Sequence, residues 1–284
     1  MTIADKLTEI SDAKQAIVSA VQGKGGTLTD KPPIADIAPA IEDLPSGGES
    51  GYIEVFTTGS SVDMNVEIID FLGVSGVTRN YFAYYSGVKE IRGTENLAGI
   101  GSYSFYGCSK LQSVEFNKAY SLGGSAFTNC VSLTSAKIPH VVTIADYGFS
   151  GCSNLVDVDF TGATAVSNHA FSNCSSLTHI ELPSVTDTAS DGFYGCSNLK
   201  SVLLPKVGAI ASSLFSGCDS LEYVFVGTET TTVAYLASTS AFPSSATNLK
   251  IVVPDSLVAQ YKTTTNWNKI ADKIIGLTEW SESQ

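Results

Sequence analysis

Phenylalanine, cysteine and leucine recur together every 22 residues, and no other feature of this chain narrows its possible folds as far. The cysteines are Cys108, Cys130, Cys152, Cys174, Cys196 and Cys218. Three residues before each stands a phenylalanine (Phe105, Phe127, Phe149, Phe171, Phe193, Phe215), and three after each a leucine (Leu111, Leu133, Leu155, Leu177, Leu199, Leu221). Two apolar rows follow: Val114, Ala136, Val158, Ile180, Val202, Val224, and then Phe116, Ile138, Phe160, Leu182, Leu204, Val226. A last row, Ile100, Leu122, Ile144, Val166 and Ile210, closes each unit, with Thr188 the exception. Registers held this long without an insertion imply stacked coils, because no single short unit can bury its own apolar face. Degenerate units flank the array: Phe82, Tyr85, Val88 and Ile91 before it, and Phe242, Leu249, Ile251, Val253 and Pro254 after it. The expected fold is therefore a repeat solenoid of about eight 22-residue coils, the outer two atypical as capping units tend to be.

Each unit can be read further. In Leu111-x-x-Val114-x-Phe116 the last two apolar residues are two apart, which places them on one face of a short strand. Pro139, Pro183, Pro205 and Pro254 stop that strand in four units, since proline cannot donate to a ladder. The Phe-x-x-Cys-x-x-Leu portion has the spacing of a tight helical turn facing inward. The architecture expected is mainly β with short helical turns.

The same register decides the cysteines. All six occupy one inward position beside phenylalanines, and cysteine is a small, readily buried residue. Thiols pointing the same way along a parallel ladder are poorly placed for bridging. A zinc site wants CxxC pairs or nearby histidines, and the chain has neither. The cysteines read as core.

The run from Ala126 to Val141, A-F-x-x-C-x-x-L-x-x-V/A-x-L/I-P-x-V, resembles the BspA-like leucine-rich repeats found in bacterial surface and phage proteins. Val252-Val253-Pro254-Asp255-Ser256-Leu257, with Trp267 and Ile274-Ile275, looks like the segment that usually closes such arrays. The resemblance covers roughly residues 78–278 and implies a scaffold that binds other molecules, without a cofactor. Cysteine here precedes the leucine, unlike the better-known leucine-rich repeat, so horseshoe curvature is not implied.

Residues 1–44 lie outside the pattern. Ile3, Leu7, Ile10, Ile17 and Val21 follow an alternating four-three spacing broken by Lys14, which predicts a helix over 3–22 with a coiled-coil-like seam and homo-oligomerisation through it. Gly23–Gly26 ends that helix, and Pro45-Ser46-Gly47-Gly48 reads as a linker. The segment from Leu7 through Lys24-Gly25, Asp30-Lys31-Pro32 and Ile37 to Ile41 resembles N-terminal segments of phage tail and baseplate proteins. The expected division is 1–44 a helical anchoring or oligomerisation module, 45–77 a linker and small β adaptor or N-terminal cap, 78–227 the solenoid, and 228–284 a degenerate last coil with a helical C-terminal cap.

Composition excludes several classes. A net charge of −12 repels phosphate backbones, so no nucleic-acid partner is expected. No apolar run reaches the ~20 residues of a membrane helix, so no membrane insertion is expected. Asp5, Lys6, Glu9, Asp12 and Lys14 interrupt the first residues, so no signal peptide is expected. No nucleophile elbow, phosphate-binding loop or metalloprotease helix appears, and His140, His169 and His179 fall at different registers, so no enzyme is expected.

Any site should lie on the outward strand rows. One reads Ser113, Ser135, Asp157, His179, Ser201, Tyr223; the other reads Glu115, Lys137, Asp159, Glu181, Leu203, Phe225. Asp157, Asp159 and Glu181 could gather for a hard cation, but cross-strand neutralisation of Asp159 by Lys137 is the simpler expectation. The candidate binding residues are Asp157, Asp159, His179, Glu181, Leu203, Tyr223 and Phe225, the last three forming an apolar patch that the C-terminal segment could instead cover. Together these readings predict a non-enzymatic phage tail or baseplate-associated protein, located on the virion and folded in host cytoplasm, contacting a virion protein, host-surface protein or glycan. The alternative is a bacterial BspA-like cell-surface adhesin.

Overall fold

The computed structural model describes residues 52–54, 67–71, 76–77, 82–92 and 94–283. The predicted helix over 3–22, the phage-like segment and the linker lie outside them.

Every described coil contributes one strand of three or four residues and most add a second of two, and these pair in parallel with neighbouring coils to form several short sheets. On the main side Ser113–Glu115, Ser135–Lys137 and Asp157–Asp159 form one sheet. His179–Glu181, Ser201–Leu204, Tyr223–Val226, Lys250–Val253 and Ile274–Gly276 form another. Partners such as Val158 and Ala136, or Val202 and Val224, are 22 residues apart, so each apolar residue stacks on its counterpart. Before the clear repeats a separate sheet keeps the same offset, Ile68–Asp70 pairing with Glu90–Arg92, and it is not joined to Ser113–Glu115 in one sheet. Two-residue strands such as Ala165–Val166 and Asp187–Thr188 line the second side.

The third side corrects the expected helical turn. Tyr106 N–H donates to the Tyr103 carbonyl, Cys108 to Phe105 and Leu111 to Cys108, all three-residue closures. They do not join into a helix because two positions per coil take left-handed backbone. One row is Tyr103, Ser125, Tyr147, His169, Asp191 and Ser213; the other is Gly107, Asn129, Gly151, Asn173, Gly195 and Gly217. The alternation turns every second N–H toward the next coil, so that Phe105 donates to Ala126 and Gly107 to Thr128, each at 2.8 Å. Glycine and asparagine suit the second row. Tyrosine in the first costs roughly 1 kcal/mol or more.

Inside, the rings of Phe82, Phe105, Phe127, Phe149, Phe171, Phe193, Phe215 and Phe242 make one continuous near-parallel stack, neighbouring centroids 5.2–5.8 Å apart. All six cysteines are free and fully buried. Each thiol donates to the phenylalanine carbonyl one coil back, as Cys130 does to Phe105 at 3.1 Å and Cys152 to Phe127 at 3.1 Å. Burial pushes the Cys108 and Cys152 thiols up to about 12.

At the C-terminal end, a short helix (Val258–Thr263), a 3-10 stretch (Trp267–Lys273) and a last helix (Leu277–Glu282) close the array. Trp267 is fully buried against Phe242, and its Nε1–H donates to the Ala234 carbonyl at 2.7 Å. The Tyr261 hydroxyl accepts from Ala234 N–H, so one coil's backbone is satisfied from both directions. No helix among the described residues is long and apolar enough to cross a membrane.

Candidate binding face and its open seam

The outward rows of the main side are the candidate site, and the structure divides them. Between Asp157–Asp159 and His179–Glu181 the main ladder opens, although no residue is inserted there. Elsewhere Val156 N–H donates to Thr134 and Lys200 N–H to Thr178. Among the described residues no bond of that kind joins Thr178 to Val156. The coils stay together at both ends of the gap: Ser176 N–H donates to Ser153, Thr186 N–H to Thr164, and Ala165–Val166 remains paired with Asp187–Thr188. The result is a cleft of about 310 Å³ lined by residues 156–161 and 178–181.

Like charges disfavour pairing across this gap. Continued 22-residue pairing would set Asp159 opposite Glu181, and opposed like charges destabilise a cross-strand pair. Asp159 turns instead to accept from Thr161 N–H at 3.1 Å, and Val158 is left half-buried at the cleft wall. The expected neutralisation of Asp159 by Lys137 does not occur. Lys137 Nζ reaches diagonally to Asp157 at 3.2 Å, and Ser135 donates to the same carboxylate at 3.0 Å. Those two hydrogen bonds hold the Asp157 carboxyl below the usual carboxylate range. Across the gap His179 spans Ser201 Oγ at 2.6 Å and Glu181 Oε1 at 3.1 Å. Asp157, Asp159, His179 and Glu181 thus share one cleft, but no group of three potential ligands among the described residues could hold a metal ion.

Leu203, Tyr223 and Phe225 lie further along the face, half-buried. Trp280, from the last helix, packs edge-on against Phe225 with centroids 4.9 Å apart and against Tyr223 at 6.3 Å. The C-terminal segment therefore lies over this patch. Trp280 Nε1 is buried there without an acceptor. An idle buried donor costs about 1–3 kcal/mol. Replacing Trp280 with Phe keeps an aromatic face and removes that donor, so urea denaturation should show stability unchanged or raised by about 1 kcal/mol. A clear loss would mean that the indole N–H is bonded in solution.

The model of the BspA type leucine rich repeat region matches the sequence as six copies over residues 75–184 and 120–247, well over half the chain. The chain belongs to this family. No curated protein matches it. Among solved structures, these BspA-type repeats are similar to a leucine-rich repeat protein from Bacteroides ovatus, at 24% identity over 67% of this chain and 52% of that one, with a TM-score of 0.49. The pneumococcal vaccine antigen PcpA matches at 12% identity over 75% of this chain and 60% of PcpA, with a TM-score of 0.48. A Treponema pallidum leucine-rich repeat protein matches at 21% identity over 69% and 81%, with a TM-score of 0.42. The chain spans about half the length of the Bacteroides protein.

The rows, and a C-terminal segment that could cover the apolar patch, were legible in the sequence; the seam was not. The one available signal for the seam was Asp159 and Glu181 standing 22 residues apart. Trp280 carried none, because it lies beyond the periodic region.

Proposed function

We propose that this BspA-type chain is a non-enzymatic binding protein displayed at a bacterial cell surface, where its solenoid serves as an adhesin. The observation that carries the reading is the main face itself: a parallel ladder whose exposed rows open into an acidic cleft at residues 157–161 and 178–181. Exposed functional rows on a scaffold fixed by its core are how repeat proteins bind. A cationic side chain of a protein ligand fits the cleft, because it would relieve the opposition of Asp159 and Glu181. Free cysteines do not argue against this location, since burial keeps oxidants from all six thiols.

The phage tail or baseplate reading rests on residues 1–44 alone, which the family match does not reach. We assign those residues an anchoring or self-associating role, whichever surface they attach to.

Protease shaving of intact cells that express the native protein tests the location. Peptides from residues 94–283 should be released without lysis, and antibodies to the solenoid should label unbroken cells. Recovery only after lysis, or only in purified phage particles, would defeat the surface reading. For the face, D159K/E181K should lower adhesion at least tenfold with an unchanged circular dichroism spectrum.

A further inference from the structure

The turn side, opposite in chemistry to the acidic face, has no role so far. Over six coils, within residues 101–110, 123–132, 145–154, 167–176, 189–198 and 211–220, its only charged side chains are Lys110, Asp146, Asp191 and Asp219. Tyrosine, serine, glycine and asparagine supply most of the rest. That mixture is typical of contact surfaces, because tyrosine gives rigid amphipathic area and the small polar residues give adaptable hydrogen bonds.

The tyrosines are exposed and held in place. Tyr103 is 38% exposed, Tyr147 44%, Tyr194 44% and Tyr84 61%. Tyr106 joins two of them into a cluster, its ring centroid 5.1 Å from that of Tyr84 and 5.8 Å from that of Tyr103. Asn129 Nδ2 donates to the Tyr106 hydroxyl at 3.4 Å. Two coils beyond Tyr103, Tyr147 stacks on His169 with centroids 4.7 Å apart and planes 16° from parallel. Between the two aromatic groups the corresponding position is Ser125, a small buried residue that leaves a low floor.

The backbone makes the placement more telling. Tyr103 and Tyr147 hold φ values of 59° and 56°, in a region where large side chains are disfavoured and asparagine is not. Neighbouring coils fill the same position with Ser125, Asp191 and Ser213, so the fold does not require an aromatic residue there. Strain kept where the scaffold does not need it points to use.

We propose that this side binds a neutral glycan, with sugar rings stacked on Tyr103 and Tyr147 and hydroxyl groups meeting Asn129 and the nearby serines. Exposed tyrosine faces carry negative potential and suit the C–H faces of sugars. The scarcity of cations leaves nothing to hold an anionic ligand. Two coils separate Tyr103 from Tyr147 by roughly 10 Å, a span of about two pyranose rings in an extended chain. This surface is distinct from the cleft and does not depend on the reading of that face.

The full chain would be titrated calorimetrically with neutral hexasaccharides of glucose, N-acetylglucosamine, mannose and galactose, and tested on immobilised desialylated mucin before and after deglycosylation. At least one hexasaccharide should bind. Y103N/Y147N should weaken it at least tenfold while melting at the same temperature or higher, since asparagine relieves the backbone. Y103F/Y147F should bind within about threefold of the parent, because the rings remain. D159K/E181K should leave glycan binding untouched, which separates this result from failure of the cleft. Absence of binding to every hexasaccharide, indifference to Y103N/Y147N, or mucin binding that survives deglycosylation and so marks a protein ligand, would each overturn the proposal.

Discussion

Raising the pH from 8 to about 10.5 is expected to unfold the solenoid, and the buried thiols are the reason. A thiol ordinarily ionises near 9.0, and here burial pushes Cys108 and Cys152 up to about 12 and Cys130 and Cys174 well above their ordinary value. Cys218 is raised too, first by the neighbouring Cys196 sulfur and then by burial. A raised folded-state value means that the unfolded chain loses its protons first. Stability is therefore complete below pH 9 and falls as pH rises toward the folded values. Each such thiol removes about 1.4 kcal/mol per pH unit in that window. Five together remove on the order of 7 kcal/mol by pH 10, against a typical total of about 5–15 kcal/mol. Urea denaturation at pH 8, 9 and 10 measures the slope. C130A/C152A/C174A should lower neutral stability through small cavities yet flatten the slope by about 4 kcal/mol per unit. An unchanged slope would show that the thiols are not the titrating groups. Iodoacetamide at pH 8 should leave the native cysteines unmodified, for the same reason.

The arrangement of the thiols was legible from the sequence because period and burial are the same fact in a solenoid. A residue that returns every 22 positions returns to the same wall, so Cys130, Phe127 and Leu133 had to be inward together. The conformation between them was not legible. Spacing of three is shared by a 3-10 helix and by successive turns, and only the left-handed residues at Ser125 and Asn129 separate the two. Asn129 and the glycines of its row hinted at this, but Tyr103 and Tyr147 in the other row pointed away from it. The candidate site was legible to the level of its rows. Periodicity says which side chains point out and not which neighbours they choose, so Lys137 was matched to Asp159 when it reaches Asp157. The seam depended on a repulsion that periodicity hides. A C-terminal cover on Phe225 was foreseeable, but not that Trp280, outside the repeats, makes the contact.

Truncating one ring in the middle of the phenylalanine stack should cost more than truncating one at its end, and by an amount that reveals how the coils cooperate. Phe149 is fully buried and touches Phe127 and Phe171 in the stack and Phe160 from the side, with centroids 5.2 Å, 5.7 Å and 5.2 Å away. Phe149→Ala should lose about 3–5 kcal/mol, because transfer and cavity terms add and the flanking backbone is held in place by bonds to the next coil. Phe242 has one stack neighbour, Phe215, and the cap residue Trp267. It is 6% exposed, so the space left by Phe242→Ala can relax and the loss should fall near the lower end of that range. The two variants should also differ in kind. In a one-dimensional array stability is a sum of coil and nearest-neighbour terms, so a weak central interface uncouples the halves on either side of it. Phe149→Ala should unfold in two steps by urea-dependent circular dichroism, and native-state hydrogen exchange should place the first opening within one or two coils of residue 149. Phe242→Ala should keep a single transition and fray from the C-terminal end. Equal losses with single transitions in both would mean that the array folds as one indivisible unit, and the nearest-neighbour description of this stack would have to be abandoned.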